Sequence, residues 1–348
     1  MKLLHVISSL EIGGAQRLLA DLLPIQKEQG MDVSLLVYED IDNAFTQKIK
    51  TAGIPVLSLG QTHYKSPLNI WRIRRIIRNY DVVHVHLFPS LYWVALASIG
   101  LKHTKLVWTE HSTNNQRRSK KYLRPIERWM YRRYAGIISI SAQTQEALQT
   151  WLYSSDERFH VIPNGIDLTR YANLSVPVIP KSLIMISRFV PAKDQETVIR
   201  AMKHIDPGAM LRFVGNGETM ERCQQLAKKE GVADRIEFLG KRADVIPLIA
   251  QSYIGIQSSH WEGFGLTAVE LMAAGKPVVA SNVEGLRQVV EGAGEIFEVG
   301  DEKQLAAIVN HLLADHASYQ TLSQRCKVRA QQYDIQTLSK KYMKVYIQ

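Results

Sequence analysis

The 348-residue chain is 46% hydrophobic and 22% charged, a composition typical of folded proteins and not of disordered or fibrous ones. Its length predicts two domains, and its formal net charge is +10. Its two cysteines, Cys223 and Cys326, exclude a disulfide framework and favour a reducing compartment such as the cytoplasm. We expect no secretion signal, and the longest apolar run, residues 87–101, is shorter than the ~20 residues that a membrane-spanning helix needs.

Short apolar runs alternate with helical patterns through the first half of the chain. The predicted strands cover residues 2–8, 33–38, 55–57, 82–86, 105–109, 136–139 and 160–162. The predicted helices include residues 15–29, 43–52 and 67–79. Strands that alternate with helices predict a parallel sheet covered on both faces, which is the arrangement of a Rossmann-like α/β domain.

A Gly-Gly turn, Gly13-Gly14, follows the first predicted strand and precedes a helix. Glycine lets the backbone approach a ligand closely, but the segment lacks the G-x-G-x-x-G dinucleotide fingerprint. The acidic segment 39–42 contains D-x-D, which binds a divalent metal in some nucleotide-sugar enzymes. We interpret it as an ordinary acidic loop after the second strand.

Three histidines stand at or near predicted strand ends. His84 and His86 lie two residues apart on one strand, so both point to the same face. A metal site needs further ligands close by, and the sequence indicates none, so we predict no metal there. His111 ends the next strand, which predicts a position at the edge of a binding cleft.

The positive charge is concentrated in the first half: residues 1–160 hold 21 Lys and Arg against 13 Asp and Glu, and the remainder holds 22 against 20. Residues 72–78 are rich in arginine, and residues 117–133 contain eight basic residues, one acid and three aromatics. Basic segments with Trp and Tyr favour an anionic membrane surface. A solvated helix face and nucleic-acid binding are the alternatives, and we predict no nucleic-acid partner.

The second half begins after turn-forming residues at 163–167 and the proline-rich stretch 176–180, which predict a linker. The predicted strands that follow cover residues 183–187, 210–214, 236–239, 254–257 and 278–280, and the predicted helices cover 195–204, 219–230 and most of 302–347. We therefore predict two doubly wound parallel-sheet domains, residues 1–165 and 166–330. Ligand would bind between them at the carboxyl ends of the strands.

The loop after the strand at 183–187 carries Arg188 and Lys193. Arginine is a forked donor and lysine a compact charge, so together they suit a diphosphate leaving group. A second glycine turn follows the next strand, and its Gly217 is a candidate for close approach to a ligand.

Glu262 and Glu270 stand eight residues apart around a glycine-rich turn in which a helix is predicted to begin. Backbone N–H groups near Gly265, Leu266 and Thr267, together with the positive end of the helix dipole, suit a phosphate. Carboxylates accept hydrogen bonds from sugar hydroxyls. Phosphate and hydroxyl groups together indicate a nucleotide sugar.

These motifs occur in one order along the chain: Gly13-Gly14-Ala15, the strand 81–86, His111, the segment 163–167, Arg188 with Lys193, and Glu262-x7-Glu270. Together they resemble the retaining glycosyltransferases of family 4, which have the GT-B fold. The resemblance implies two Rossmann-like domains facing across a cleft, the first binding the acceptor and the second the nucleotide-sugar donor. It also implies that a last helix, about residues 331–348, packs back on the first domain.

Carried over by position, the resemblance assigns roles to individual residues. Glu270 would hold the ribose and Glu262 the hydroxyls of the transferred sugar, while Gly14 would approach the diphosphate from the other domain. The implied catalytic set is His111, Arg188, Lys193 and Glu262. The implied donor-binding set is Gly13, Gly14, Arg188, Lys193, Gly217, Gly265, Leu266, Thr267 and Glu270.

Two residues depart from the family pattern. Ser187 and Asp194 stand where many relatives have glycines. We expect this difference to alter the flexibility of the loop without removing its charges.

We predict a metal-independent retaining glycosyltransferase that needs no cofactor and uses a nucleotide-sugar donor. UDP-sugars are the commonest donors in the family, and GDP-sugars are an alternative. The basic first half suits a lipid-linked saccharide acceptor at the cytoplasmic membrane face, in capsule, O-antigen or exopolysaccharide synthesis. The alternatives are a soluble glycosyltransferase acting on a small molecule, and a non-catalytic protein that binds membrane or nucleic acid.

Overall fold

A computed structural model describes residues 1–11, 13–60, 66–113, 115–172, 174–242 and 244–348. These residues form two compact units. The first comprises Met1–Gly165 and Ile335–Gln348, and the second comprises Ile166–Asp334. The boundary falls within the turn-forming segment 163–167, and the last helix belongs to the first unit from Ile335 onward.

The first unit is built on a parallel sheet, which has seven strands in the described residues and the order β3-β2-β1-β4-β5-β6-β7. Its strands are β1 Lys2–Ile7, β2 Asp32–Val37, β3 Val56–Ser58, β4 Val82–His86, β5 Lys105–Glu110, β6 Gly136–Ser139 and β7 Phe159–Val161. Its helices are α1 Gly14–Glu28, α2 Ala44–Thr51, α3 Leu68–Ile77, α4 Ser90–Ala97, α5 Arg124–Tyr131, α6 Ala142–Leu152 and the C-terminal helix Ile335–Ile347.

Both faces of this sheet are covered because its central strands are apolar at successive positions. In β1, Leu3 and Ile7 join the core that contains residues of α1 and the C-terminal helix. The alternate residues Leu4 and Val6 join the core that contains residues of α3, α4, α5 and α6. Burial on both faces is what strands of an all-parallel sheet require.

The second unit contains a parallel sheet of six strands in the described residues, with the order β10-β9-β8-β11-β12-β13. Its strands are β8 Ser182–Ile186, β9 Met210–Val214, β10 Ile236–Phe238, β11 Ile254–Gln257, β12 Val278–Ser281 and β13 Glu295–Phe297. Its helices are α7 Gln195–Ala201, α8 Met220–Lys229, α9 Val245–Gln251, α10 Leu266–Ala273, α11 Glu284–Val290, α12 Glu302–Ala314 and α13 His316–Ala330.

Each sheet has a topological switch point, where the chain first moves outward on one side and then returns to the other. In the first sheet β1 lies between β2 and β4, and in the second β8 lies between β9 and β11. Ligands of open α/β sheets bind outside the carboxyl ends of the strands at such points. The segments after β1, β4 and β5, and after β8, β9 and β11, are therefore the positions to examine for a site.

The predicted architecture of two Rossmann-like parallel-sheet domains is confirmed. The strand β13 was not predicted from the sequence. Of the described helices, none combines the length and apolarity needed to cross a bilayer.

Candidate functional site

The loop that follows β8 carries Arg188 and Lys193, as the sequence indicated. Arg188 is exposed, and within the described part of the chain its guanidinium makes no hydrogen bond or ion pair. Lys193 forms an isolated antiparallel bridge with Ser259, which follows β11. The loop after β8 and the segment after β11 are therefore held together by backbone pairing, as well as by their parallel strands.

The Lys193 ammonium contacts the Glu262 carboxylate and lies 3.3 Å from the hydroxyl of Ser259. The side chains of Lys193 and Glu262 are 16% and 21% exposed, so the pair is partly buried but reachable by solvent. The other carboxylate oxygen of Glu262 accepts a hydrogen bond from the Gly263 N–H at 3.2 Å. The structure thus brings together two of the predicted catalytic residues.

A left-handed glycine starts the helix between the two predicted glutamates. Gly265 is the N-cap of α10 with φ +88°, a conformation that favours glycine. A Cβ there would also lie 2.7 Å from a methyl group of Leu286 on α11. Leu266 and Thr267 are the first residues of α10, so their N–H groups belong to the end of the helix that attracts anions.

Glu270 lies one turn further along α10 and is 2% exposed. Glu270 has an interaction partner, so burial does not leave this residue isolated. It stands on the same helix whose N-terminus Gly265 begins, which fits a group that holds part of a ligand bound at that end.

The second glycine turn supports the loop that carries Arg188. Gly215 and Gly217 have φ of +139° and +154°, and a Cβ at these positions would lie 1.9 Å from the Ser187 carbonyl oxygen and 2.1 Å from the Phe189 carbonyl oxygen. The Phe189 N–H also donates to the Asn216 carbonyl at 2.9 Å. The structure therefore gives Gly217 a packing role against the loop, while contact with ligand stays a prediction.

The two departures from the family pattern make defined contacts. The Ser187 hydroxyl lies 3.0 Å from the side-chain amide of Gln195, which also donates to the Arg188 carbonyl at 3.0 Å. Asp194 is the N-cap of α7, accepting from the Thr197 N–H at 3.2 Å and from the Ser258 hydroxyl at 3.2 Å. The side chains of Ser187 and Asp194 thus restrain the loop after β8 through hydrogen bonds that glycines could not make.

The Gly-Gly turn of the first unit begins α1, with Gly13 as its N-cap and Gly14 as its first residue. The φ of Gly13 is −168°, which is extended backbone that any residue adopts. A Cβ on Gly13 would meet only the flexible side chain of Gln16. The backbone geometry therefore does not require glycine at Gly13. Close approach of a ligand to this residue stays a prediction.

His111 follows β5 and is linked by a series of hydrogen bonds to side chains buried inside the first unit. Its Nε2 lies 3.1 Å from Nδ1 of His86, the last residue of β4. Nε2 of His86 lies 3.0 Å from Nδ1 of His5 on β1, and Nε2 of His5 lies 2.8 Å from Oε1 of Gln26 on α1.

The series continues from Gln26 into the C-terminal helix and back to the sheet. Nε2 of Gln26 lies 3.5 Å from the Tyr346 hydroxyl, which lies 2.7 Å from Nδ1 of His84. Nε2 of His84 lies 2.7 Å from the Thr109 hydroxyl. We call these seven residues the histidine network: His111, His86, His5, Gln26, Tyr346, His84 and Thr109.

The histidines of this network are neutral at pH 7. Burial lowers the pKa of His5 to about 4 and that of His111 to about 4. Burial also lowers the pKa of His84 and of His86 well below the ordinary value, and the neighbouring histidines lower it further.

Ligating nitrogens of His5, His84 and His86 lie within 4.8 Å of one another, which is the spacing of a metal site. The sequence indicated only two of them, since His5 comes from a different strand. Hydrogen bonds already occupy all six of their ring nitrogens, so a metal ion would have to displace them. The geometry favours a hydrogen-bonded series over a metal centre.

Two arginines of the basic segment 117–133 point inward. The Arg117 guanidinium lies 2.7 Å from the Glu127 carboxylate, and that of Arg118 lies 3.2 Å from the Glu110 carboxylate. Burial raises the pKa of Glu110, and Arg118 opposes that rise. These arginines are part of the interior of the first unit and contribute little charge to its surface.

Other residues of the same segment form an exposed surface of basic and large apolar side chains. Tyr122, Ile126 and Trp129 are 69%, 48% and 44% exposed. We call this the basic-aromatic surface; it consists of Lys120, Lys121, Tyr122, Ile126, Trp129 and Arg132, all of which are exposed.

The D-x-D segment is an exposed loop. Asp40 lies 3.8 Å from the Lys50 ammonium, with both side chains about half exposed. Asp42 accepts from the side-chain amide of Gln47 at 3.3 Å. These surface contacts agree with its interpretation as an ordinary acidic loop.

Comparison with known proteins covers both units. The family model for glycosyl transferases group 1 matches residues 173–332, and that for glycosyltransferase family 4 matches residues 12–170. The first of these matches lies within the second unit, and the other covers most of the first unit and extends five residues beyond Gly165.

Individual relatives share less than a third of their residues with this chain. Glycogen synthase from Mycobacterium tuberculosis is 28% identical over 77% of this chain and 68% of its own length. An Escherichia coli protein, UDP-Gal:alpha-D-GlcNAc-diphosphoundecaprenol alpha-1,3-galactosyltransferase, is 21% identical over 94% of this chain and 91% of its own.

Among solved structures, HepE from Anabaena in complex with UDP and glucose is similar with a TM-score of 0.86. The two chains are 23% identical over 99% of this chain and 98% of HepE. This likeness supports the fold alone, and it confirms the predicted GT-B class.

Proposed function

This chain belongs to glycosyltransferase family 4, and from that premise we propose that it transfers a sugar from a UDP-sugar to an acceptor hydroxyl with retention of anomeric configuration. The contact between Lys193 and Glu262, beside the exposed Arg188, carries the proposal. The likeness to a protein solved with UDP and glucose supports the choice of nucleotide.

The chemistry of the transfer explains why both signs of charge stand together. When the glycosidic bond to the diphosphate breaks, negative charge develops on the leaving group, and Arg188 and Lys193 would stabilise it. Glu262 would accept hydrogen bonds from the sugar hydroxyls and orient the ring. The Glu262 carboxylate contacts Lys193, which would position the ammonium for a ligand that carries negative charge.

The helix α10 would hold the rest of the donor. Its N-terminal amides at Leu266 and Thr267 suit a phosphate oxygen, and the buried carboxylate of Glu270 suits the paired hydroxyls of a ribose. Gly13 and Gly14 would add backbone contacts to the diphosphate from the first unit.

We further propose that the acceptor attacks from the face that the diphosphate leaves, with His111 close to the donor sugar. No metal is required in this proposal, because two cationic side chains take the part that a divalent ion plays elsewhere. The solvated, ion-paired state of Asp40 supports this, since the D-x-D segment offers no assembled site.

The test is a transfer assay with anomer-resolved NMR. Purified protein is incubated with an acceptor saccharide carried on a polyprenyl diphosphate and with UDP-glucose, UDP-galactose or GDP-mannose, with and without EDTA. We expect turnover of a UDP-sugar, an α-configured product and no effect of EDTA. An inverted product would contradict retention, EDTA-sensitive turnover would contradict metal independence, and turnover of GDP-mannose alone would contradict the nucleotide.

For the acceptor we propose a saccharide carried on a polyprenyl diphosphate, as in capsule, O-antigen or exopolysaccharide synthesis. The basic-aromatic surface supports this, because exposed Tyr and Trp beside lysines suit the interface of an anionic membrane. The similarity to an enzyme named for a diphosphoundecaprenol-linked substrate points the same way. The protein would then act at the cytoplasmic face of the membrane as a peripheral protein.

Vesicle co-sedimentation tests the membrane part. We expect the wild-type protein to bind, at low salt, vesicles in which about a third of the lipid is phosphatidylglycerol. It should not bind neutral vesicles. Lys120→Glu with Lys121→Glu should abolish binding, while Lys228→Glu with Lys229→Glu, two exposed lysines of α8 in the second unit, should not. Equal binding by both double variants would contradict the assigned surface.

An acceptor screen separates the remaining alternatives. Transfer to water-soluble sugars or thiol precursors, with none to lipid-linked saccharides, would favour a soluble enzyme with a small-molecule acceptor. Donor binding without transfer or hydrolysis for any acceptor would favour a non-catalytic binding protein.

A further inference from the structure

The histidine network connects His111 to a glutamine that lies deep in the first unit. His5, Gln26, His84, His86 and Thr109 have no exposed surface. Their positions follow from the sheet, since His5 pairs in register with His84, and His86 with Thr109, so their side chains share one face. Helix α1 brings Gln26 to that face, and the C-terminal helix brings Tyr346.

A series of neutral imidazoles has a direction. Each neutral ring carries one N–H donor and one bare nitrogen acceptor, so a donor at one nitrogen requires an acceptor at the other. The proton on any one ring of a linked series therefore determines the protons on all the others. The direction is decided where the series meets a group whose donor and acceptor atoms are distinct.

Gln26 is that group. Its Oε1 faces His5 and can only accept, so His5 carries its proton on Nε2 and accepts at Nδ1. His86 then donates from Nε2 to His5 and accepts at Nδ1. His111 in turn donates from Nε2 to His86, which leaves its own Nδ1 without a proton.

The other half of the network agrees with the same amide orientation. The Gln26 N–H group donates to the Tyr346 oxygen, and the Tyr346 hydroxyl donates to Nδ1 of His84. His84 then donates from Nε2 to the Thr109 hydroxyl oxygen. One orientation of a single amide thus assigns every ring proton in the network.

We propose that Gln26 is a positioning residue that fixes His111 as the Nε2–H tautomer, so that Nδ1 accepts a hydrogen bond from a hydroxyl of the sugar substrate. This inference rests on the proposed function for the identity of the ligand. Within the described residues Nδ1 of His111 has no hydrogen-bond partner, so it is available for that role. Turning the Gln26 amide over would reverse every proton and make Nδ1 of His111 a donor.

The tautomer of His111 is measured directly on the whole protein labelled with 15N-histidine. Two-bond 1H–15N correlation at pH 7.5 distinguishes protonated from bare ring nitrogens, and the His111→Asn variant assigns the signal. We expect a proton on Nε2 and none on Nδ1. A proton on Nδ1 in the wild-type protein would overturn the proposal without any variant.

Three variants then test the part of Gln26. Gln26→Met removes the acceptor at similar volume, and we expect two His111 tautomers in exchange. Gln26→Glu keeps an acceptor opposite His5, so it should restore the single Nε2–H tautomer. The matched control is Gln29→Met at the C-cap of the same helix, where the Gln29 amide donates to Gln336 at 2.9 Å outside the network. This variant should leave the tautomer unchanged.

Activity is a separate readout. We expect kcat/KM of transfer to fall about tenfold in Gln26→Met, the loss that one hydrogen bond to substrate gives, and to be near wild type in Gln29→Met. A wild-type His111 spectrum in Gln26→Met would overturn the proposal. If the tautomers behave as expected but no sugar is transferred by the wild type, the proposed function fails while the assignment of Gln26 stands.

Discussion

The carboxyl edge of the first sheet is lined by neutral histidines, whereas that of the second carries charged side chains. His86 and His111 stand where β4 and β5 end, and burial lowers the pKa of both. Lys193 and Glu262 follow β8 and β11, are in contact, and remain partly exposed. One strand topology thus supports a network of neutral groups in one unit and a network of ions in the other.

Burial explains the difference. Taking an isolated charge out of water is costly, so groups deep in a core are neutral or are paired and hydrogen-bonded. The first unit does contain buried ions, such as Arg117 with Glu127, but they satisfy each other in its interior. Lys193 and Glu262 of the second unit are ions that solvent, and hence a charged ligand, can reach.

The largest expected effect is the loss of stability when the buried ion pair of Arg117 and Glu127 is broken. Glu127 is 1% exposed and accepts from Arg117 at 2.7 Å, from the Trp151 indole at 2.6 Å and from the Tyr92 hydroxyl. Glu127→Ala should lower the free energy of unfolding by about 3–5 kcal/mol, because it leaves a buried guanidinium unpaired. Urea denaturation measures it. The control is Glu146→Ala, an exposed position on α6; an equal loss in both variants would contradict a structural role for the pair.

The next effect concerns the ions that we assign to the donor. Arg188→Ala and Lys193→Ala should each lower kcat by roughly a hundredfold or more, since losing one preorganised donor to developing charge costs about 2.7–4 kcal/mol. Folding stability should change little at the exposed Arg188. Steady-state kinetics with a UDP-sugar measures the loss, with Lys203→Ala, from a surface ion pair of the same unit, as the control. Near-wild-type turnover in both variants would reject the assignment.

A third prediction uses pH to separate the units. The pKa of His5 is 6.5 when unfolded and about 4 when folded, so the folded protein binds fewer protons in this interval. The free energy of unfolding therefore keeps its full value above pH 6.5, where His5 is neutral in both states, and it declines as the pH falls toward 4. At 1.36 kcal/mol per pKa unit, the decline due to His5 is about 3 kcal/mol.

Urea denaturation between pH 7.5 and 4 measures this decline. His5→Gln should make the decline shallower without removing it, since His84, His86 and His111 also have lowered pKa values. His316→Gln, which changes an exposed histidine of the second unit, should leave the decline unchanged. A His5→Gln protein with the wild-type pH profile would show that His5 is not the group responsible.

The smallest expected effect is at the D-x-D segment. Asp40→Ala removes an exposed ion pair with Lys50, which is worth about 0–1 kcal/mol. We expect turnover, and its insensitivity to EDTA, to match wild type. A large loss of turnover that added Mg²⁺ relieves would mean that the first unit contributes an ionic site of its own.

Much of the second unit was predictable because its chemistry lies in order along the sequence. Arg188 and Lys193 come directly after β8, and Glu262 comes shortly after β11, so adjacent parallel strands bring them to one edge. The contact between Lys193 and Glu262 was not itself predicted, because it depends on the conformations of the two loops that carry them. The packing of Gly217 against the Arg188 loop was not predictable, since it depends on how closely the backbones of two loops approach each other.

The histidine network of the first unit shows what a single sequence hides. The spacing of His84 and His86 gives their common face, but His5 joins them only because β1 is the neighbour of β4. Tyr346 joins the network from the C-terminal helix, 262 residues further along the chain than His84. In the segment 117–133 the charges were visible, but the inward direction of Arg117 and Arg118 was not, because their acidic partners are determined by the packing of other elements.

The C-terminal helix also determines when the first unit can be completed during synthesis. Its residues Leu338, Tyr342, Val345 and Tyr346 belong to the same core as Leu3 and Ile7. A ribosome makes the N-terminal residues first, yet this face stays uncovered until the second unit has been translated in full. All residues of the second unit precede the last helix in the chain, so this unit can fold before the first one is complete. Until the last helix is made, the nascent first unit would expose the apolar, histidine-bearing face that this helix covers.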